Sequence, residues 1–237
     1  MIDHRSLPEI TIEQPVHRII PSQFPVRGIW DAVTRAEDLE DTLEVEALTN
    51  ERVRRELEIL RRMPPEHRMI GPGTTPVMAA LCNPPQSPNR FADHRFGGYY
   101  AGCSKQTAVL ETVFHRERFL ASSAFRRAGV YVMRRYECRL QAPLPSLSRE
   151  MHAELLDPDL DSYPRSAAFA YRLYQDGRPG LRYPSVRDPA GHCVVIYDPR
   201  AIAYPVVAVE HLQYHWDGQA ITHVSTVSDA IAMPGAR

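Results

Sequence analysis

The sequence predicts an α+β fold for this chain of 237 residues. Residues 35–62 and 162–176 carry apolar side chains at three- and four-residue spacing, which is typical of amphipathic helices. Residues 130–140 alternate as a strand does, and residues 193–199 form a short apolar run suited to the interior of a sheet. Since helices and strands do not alternate regularly, α+β is favoured over a doubly wound sheet.

The N-terminal part combines an arm, a strand and a helical insertion. Residues 1–15 are an extended N-terminal arm, and residues 16–20 are a short apolar strand that carries Arg18. Residues 35–62 form a helical insertion, which Asn50 divides in two because asparagine is a good N-cap. The two prolines at 64 and 65 end the second helix.

In the middle of the chain, the sequence predicts a loop, a strand and a long helix. Residues 71–88 are a proline-rich loop with an apolar or helical patch at 77–81. Residues 97–102 form a strand whose glycines allow close approach of another backbone or a ligand. Ser104 is an N-cap for a helix that carries Glu111.

In the C-terminal part, the sequence predicts a helix, strands, a hairpin and a tail. Gly177 ends the helix over 162–176, because glycine tolerates the left-handed conformation that closes helices. A hairpin turns around Asp217 and Gly218. The remaining predicted segments are a strand at 181–185, the hairpin arms at 204–216 and 219–227, and a C-terminal tail at 228–237.

The composition and charge of the chain argue against several classes of function. The net charge of -1 supplies no global basic field, so direct binding to nucleic acid is not expected. No apolar run has the length of a membrane span or a signal peptide. The four cysteines are widely spaced without a CxxC pair, which predicts a reducing, cytoplasmic location rather than a zinc or redox motif.

Glu111 and His115 share one helix face, which leaves three interpretations open. They could form half of a metal site, although HExxH is absent and no third ligand is evident. His115 could instead hydrogen-bond the carboxylate. Alternatively, Glu111 is a working carboxylate among apolar neighbours, which requires an arginine or a ligand hydroxyl nearby.

Five further residues are candidates for contact with a nucleotide ligand. Arg18 and Arg90 lie in segments fixed by prolines and apolar neighbours, and guanidinium groups match phosphate oxygens in a bidentate manner. Tyr99 and Tyr100 alternate in a strand, so one of them faces inward and the other can offer a ring for stacking. A serine at 185 can donate a hydrogen bond to a hydroxyl or phosphate. Neither a GxGxxG nor a P-loop motif is present.

The order arginine, arginine, tyrosine, glutamate, serine resembles the RES domain family, the toxins of RES–Xre toxin–antitoxin pairs. The resemblance runs from about His17 to Pro199 and is strongest in NRFADHRFGGYYAGCSKQTAVLETVFH and GRPGLRYPSVRDPAGHCVVIYDP. It implies a single RES-type domain over 1–237. The implied fold is an ADP-ribosyltransferase-like core of small mixed β-sheets flanked by helices, to which the insertion at 35–62 is added.

The resemblance also implies roles for individual residues. By position, Arg18 and Arg90 match the family's two arginines, and Glu111 matches the catalytic glutamate, assisted by Arg90. Arg18, Arg90, Tyr100 and Ser185 are the implied NAD-binding residues, with Tyr99 as the alternative to Tyr100. His17 and His192 depart from the family pattern, which often has tyrosine and asparagine there. No metal is implied.

The implied activity is that of a type II toxin that cleaves the nicotinamide–ribose bond of NAD. Inorganic phosphate or water would be the acceptor, so that NAD is degraded by phosphorolysis or hydrolysis. The alternative is a mono-ADP-ribosyltransferase that modifies a protein, and a third interpretation is an inactive antitoxin-binding module. The implied partner is an Xre-family antitoxin, and self-association as a homo-oligomer is left open.

Overall fold

The structure is a computed structural model that describes residues 2–25, 28–33, 35, 38–123 and 127–227. The predicted tail at 228–237 therefore lies outside the described residues. Within them, the α-helices are α1 (Ile29–Ala32), α2 (Asp38–Ala47), α3 (Glu51–Arg62), α4 (Thr75–Leu81), α5 (Lys105–Ser122) and α6 (Tyr163–Gln175). The strands are β1 (Glu9–Ile10), β2 (Val16–Pro21), β3 (Tyr99–Gly102), β4 (Gly129–Leu140), β5 (Leu144–Pro145), β6 (Gly180–Pro184), β7 (His192–Ile196), β8 (Ile202–Trp216) and β9 (Ile221–Thr226).

The α+β class is confirmed, and its strands form one large and one small sheet. The large sheet has the order β6-β7-β3-β2-β4-β8-β9, and each neighbouring pair is antiparallel. The expected small mixed sheets are thus replaced by one wide antiparallel sheet and the two-stranded pair β1–β5. Near the N-terminus, β1 pairs with β5.

Strands β2 and β3 diverge in the middle of this sheet. β2 pairs with β4 over six residues and β3 pairs with β7 over four, but in the described ladder β2 and β3 pair only at His17 and Gly102. Beyond that pair, the Arg18 guanidinium donates from Nη1 to the carbonyl oxygen of Tyr100 at 3.1 Å. A side chain therefore bridges the strands where they no longer pair, and a fork opens between them.

Helices cover the two faces of the sheet separately. The insertion helices α2 and α3, with α4, pack on the face that carries Val16, Tyr99 and Tyr136. Helix α5 packs on the opposite face, against Ile19 and Met133. Helix α6 completes a third cluster, whose largest members are Phe91, Phe96, Phe169, Leu173, Tyr183 and Tyr197.

The predicted division of the insertion at Asn50 is confirmed. Its side chain accepts hydrogen bonds from the backbone amides of Arg52 at 3.1 Å and Val53 at 3.4 Å, and so starts α3. Helix α1 escaped prediction because four residues are too few to show a periodic pattern. Its buried Trp30 donates from Nε1 to the Glu56 carboxylate at 3.4 Å, which ties α1 to α3.

The remaining predicted elements are confirmed with small changes in length. Ser104 starts α5 by accepting from the Thr107 amide at 3.1 Å, and the helix continues to Ser122. The predicted turn after Trp216 joins β8 and β9 as a hairpin. Among the described residues, no helix has both the length and the apolar character needed to cross a membrane.

Replacing Asn50 by alanine should destabilise the protein without disturbing the sheet. Asn50→Ala removes the side-chain acceptor of two amides at the start of α3, and we expect the free energy of unfolding to fall by about 1 kcal/mol. Urea denaturation measures the change. Thr49→Ala is the matched control, since Thr49 is exposed and its substitution should cost under ~0.5 kcal/mol. Equal losses in both variants would contradict the capping role.

Candidate active site

A cavity of about 610 Å³ occupies the fork between β2 and β3. Its volume lies within the range of roughly 300–1,000 Å³ that small-molecule sites occupy. Four of the five predicted site residues line it: Arg18, Arg90, Tyr100 and Glu111. They come from β2, the loop before β3, β3 itself and α5, so the fold joins residues that are far apart in sequence.

Arg18 enters the cavity as a partly buried cation. Its guanidinium lies 4.9 Å from the ring centre of Tyr99 and donates to the Tyr100 carbonyl, while its buried Nε has no hydrogen-bond partner among the described residues. Burial lowers the pKa of Arg18, but a guanidinium remains charged throughout the physiological range. In the described part of the chain, no carboxylate pairs with it, so its charge is available to an anion.

Arg90 is a second cation of the same kind. Its side chain is held by two carbonyl oxygens, that of Asp157 at 2.7 Å and that of Leu155 at 3.3 Å. Its guanidinium lies 4.8 Å from the ring centre of Tyr163. Arg90 is only 7% exposed, and no described carboxylate forms an ion pair with it. An acidic ligand would therefore meet two fixed, unneutralised guanidinium groups.

The two tyrosines of β3 point to opposite faces of the sheet. Tyr99 is fully buried in the main core, where its hydroxyl contacts the Cys138 sulfur at 3.6 Å. Tyr100 lines the cavity, and its hydroxyl accepts a hydrogen bond from the Phe91 amide at 3.1 Å. The strand register thus places Tyr100, rather than Tyr99, where its ring can face a ligand.

Ser185 hydrogen-bonds the Glu111 carboxylate from outside the cavity lining. Ser185 is fully buried, and its Oγ accepts from the amides of Asp188 at 2.9 Å and Arg187 at 3.2 Å. Those two donors occupy the oxygen, so its single proton is directed to Glu111 Oε1, at 2.5 Å. Ser185 is not among the residues that line the cavity, so its predicted contact with a ligand stays a prediction.

Cys193 is a second donor to the same carboxylate oxygen. Its sulfur lies 3.8 Å from Glu111 Oε1. Burial, followed by the charge of Glu111, raises the pKa of Cys193 well above its ordinary value, so the thiol keeps its proton. Both donors contact Oε1, and no described residue bonds Oε2. The second oxygen of Glu111 is thus the one left for a ligand.

Asp188 and Thr107 complete a buried polar cluster that sequence reasoning missed. Asp188 is 6% exposed, and its Oδ2 accepts a hydrogen bond from Thr107 Oγ1 at 2.7 Å. Its carboxylate therefore lies beside the N-terminal turn of α5, where negative charge is favoured. Gly191 closes the loop against the pair, since a side chain there would collide with Thr107 and Asp188. The Asp-Pro and Gly of this loop signal a turn, but nothing in the sequence links it to α5.

His115 lines the cavity one helical turn beyond Glu111. Among the residues that the structure describes, no group of three or more histidine, cysteine, aspartate or glutamate side chains is arranged to hold a metal ion. The combination that is present consists of two guanidinium groups, one aromatic wall and one oriented carboxylate. Chemically, this arrangement can bind phosphate and stabilise positive charge that develops on a sugar.

One family model matches most of the chain. The model of the RES domain matches residues 59–217, a range that contains Arg90, Tyr100, Glu111 and Ser185 but not Arg18. The protein y4oC of Sinorhizobium fredii is 23% identical over 227 residues, covering 94% of this chain and 91% of that protein. The structure of the M. tuberculosis MbcT–MbcA toxin–antitoxin complex aligns with a TM-score of 0.40 and 11% identity, covering 89% of this chain and 87% of the matched chain.

Removal of the Thr107 hydroxyl should destabilise the loop behind Glu111. Thr107→Val leaves the buried Asp188 carboxylate without its side-chain donor, and we expect the free energy of unfolding to fall by about 2 kcal/mol. Thr42→Val is the matched control, because the Thr42 hydroxyl bonds only its own helix at an exposed position. Chemical denaturation measures both. A Thr107 variant as stable as the control would show that the cluster contributes little.

Proposed function

This chain belongs to the RES domain family, and we propose that it is the toxin of a type II toxin–antitoxin pair that cleaves the nicotinamide–ribose bond of NAD. The observation that carries this proposal is the Glu111 carboxylate, oriented by a fully buried serine, in the same cavity as Arg18 and Arg90, with which no described carboxylate forms an ion pair. A dinucleotide offers what each group requires, namely phosphate charge for the arginines and a ribose for the carboxylate.

The arginines bind the pyrophosphate in this proposal. Burial of an uncompensated cation is costly, so Arg18 and Arg90 stabilise the protein most when an anion joins them. Their carbonyl and aromatic contacts hold each guanidinium in place before the ligand arrives. The binding energy of the phosphates is thereby converted into orientation of the distant reacting bond.

Glu111 acts on the ribose. When the bond between C1′ and the nicotinamide nitrogen breaks, its electron pair leaves with the ring, which becomes neutral nicotinamide. The ribose then carries positive charge, as in glycoside cleavage. Glu111 Oε2 stabilises this charge or holds a ribose hydroxyl, while Ser185 and Cys193 keep Oε1 in place. Tyr100 offers its ring to the nicotinamide.

A small acceptor fits the enclosed position of Glu111. Phosphate or water attacks C1′, forms the new C–O bond and gives up a proton, so the products are ADP-ribose with or without a phosphate. Glu111 is half-buried and backed by Ser185, which favours small molecules over a protein side chain. Mass spectrometry of the ribosyl product separates phosphorolysis, hydrolysis and the alternative, ADP-ribosylation of a protein.

The proposed partner is an Xre-family antitoxin that closes the mouth of the cavity. A segment that covers the fork between β2 and β3 would exclude NAD without altering the residues inside. Expression of the toxin alone should then arrest growth, whereas co-expression of its cognate antitoxin should restore it. An inactive antitoxin-binding module would be harmless in both conditions.

Substitution of Glu111 by glutamine should abolish most of the activity while the fold is kept. Glu111→Gln retains the shape and the contact with Ser185 but removes the negative charge, and we expect nicotinamide release to slow by roughly 10²- to 10³-fold. Glu117→Gln on the same helix is the matched control, since Glu117 accepts from the Ile221 amide outside the cavity. Chromatography measures released nicotinamide.

A chelator should leave the wild-type rate unchanged. Full activity in the Glu111 variant would refute the role of the carboxylate. Loss of activity on chelation would instead favour the metal interpretation of Glu111 and His115.

Removal of the Ser185 hydroxyl should mainly lower kcat. Ser185→Ala leaves the cavity wall intact but frees the Glu111 carboxylate to rotate, and we expect kcat to fall by about 10- to 100-fold. KM for NAD should stay within ~2-fold, because the serine does not touch the cavity. Steady-state kinetics separate the two constants. A change in KM alone would identify Ser185 as a ligand contact instead.

A further inference from the structure

One end of the cavity includes residues that precede the segment matched by the RES domain. Phe24, Pro25 and Arg52 all line the cavity, whereas the family match begins at residue 59. We propose that Phe24 and Arg52 form a slot that binds the adenine base of NAD and thereby selects a dinucleotide over a mononucleotide. This inference rests on the function proposed above and names a further part of the same site.

The two ends of the cavity lie on opposite faces of the large sheet. Glu111 belongs to α5, which packs against Ile19 and Met133 on one face. Arg52 belongs to α3, which packs with α2 and α4 on the other face. The cavity passes from one face to the other through the fork, where Arg18 projects from β2. A ligand with phosphates at Arg18 and a ribose at Glu111 therefore extends its remaining part toward Phe24 and Arg52.

Phe24 and Arg52 present two flat groups at this end. The Arg52 guanidinium carbon lies 5.4 Å from the centre of the Phe24 ring. Phe24 is 37% exposed and the Arg52 side chain is 47% exposed, so both surfaces are accessible. Within the described residues, the Arg52 side chain forms its one ion pair through Nε, to Glu56 Oε1 at 3.1 Å. An exposed aromatic ring beside a guanidinium plane is the arrangement on which nucleotide bases stack.

Buried groups hold the slot in position. Glu56 is 5% exposed and accepts hydrogen bonds from Trp30 Nε1 at 3.4 Å and from Asn83 Nδ2 at 2.7 Å. Glu56 can therefore hold the Arg52 side chain in place through their ion pair. The Phe24 backbone is fixed from the sheet, where Arg134 donates to its carbonyl oxygen at 2.8 Å. A binding surface that is ordered before the ligand arrives loses less entropy on binding.

The chemistry of the slot favours a base over a phosphate. A phosphate would bind to the arginine alone, because an exposed phenyl ring offers it no hydrogen bond or charge. Stacking on the exposed surface of Phe24 and the adjacent Arg52 guanidinium suits a large, uncharged, aromatic system such as adenine. The nicotinamide ring is excluded from this end, because its ribose must lie at Glu111 on the opposite face.

Calorimetric titration with half-ligands tests the slot independently of turnover. AMP and nicotinamide mononucleotide are titrated into the full-length wild type and into Phe24→Ala, Arg52→Gln and Arg55→Gln. We expect the dissociation constant of AMP to rise about 10-fold in the first two variants and to stay within ~2-fold in Arg55→Gln. Arg55 is the matched control, since it lies on the same helix but outside the cavity. Nicotinamide mononucleotide should bind all four proteins alike.

Three outcomes would overturn the inference. They are failure of the wild type to bind AMP at millimolar concentration, unchanged AMP affinity in both slot variants, or equal losses for both half-ligands. Thermal melting shows that each variant is folded, and the Arg52 variant decides the result if Phe24→Ala is unstable. A wild type that binds AMP but releases no nicotinamide from NAD would contradict the proposed function while leaving the slot intact.

Discussion

The hydrogen bond from Arg18 to the Tyr100 carbonyl is the contact around which the site is organised. It joins β2 and β3 where the ladder between them has ended, so the sheet can open without leaving that carbonyl unsatisfied. The opening is the cavity, and the same guanidinium is its central cation. The Arg18 side chain thus both bridges the two strands and offers a charge to an anion. The width of the fork therefore depends on Arg18.

The orientation of the Glu111 carboxylate depends on a polar cluster of Ser185, Asp188 and Thr107, none of which lines the cavity. Ser185 orients Glu111, Asp188 and its loop supply the amides that orient Ser185, and Thr107 holds Asp188 against α5. On the other side of that loop, Arg149 donates to the carbonyl oxygens of Ser185 and Pro189. A fully bonded buried cluster of this kind is rigid, and rigidity is what an electrostatic role for Glu111 requires.

Helix α3 contributes to the cavity wall as well as to the core. Helices α2 and α3 cover the sheet face opposite α5, and α3 brings Arg52 to the cavity. The family match starts near the end of α3, so this wall belongs to the part of the chain that the match leaves out. Glu56 links the two roles, because it joins Trp30 in the core to Arg52 at the cavity.

The sequence by itself determined the α+β class, the helices that start at Asn50 and Ser104, the terminal hairpin and the family resemblance. These features rest on local signals, such as caps, periodicity, turns and short motifs, that neighbouring residues carry. Only the tertiary structure decided that Ser185 hydrogen-bonds Glu111 from outside the cavity lining, and that the backbone amide of Asp188 supports Ser185. It also decided that the strands diverge at Arg18. Such relations depend on which distant segments meet, and no pattern within a single segment records that.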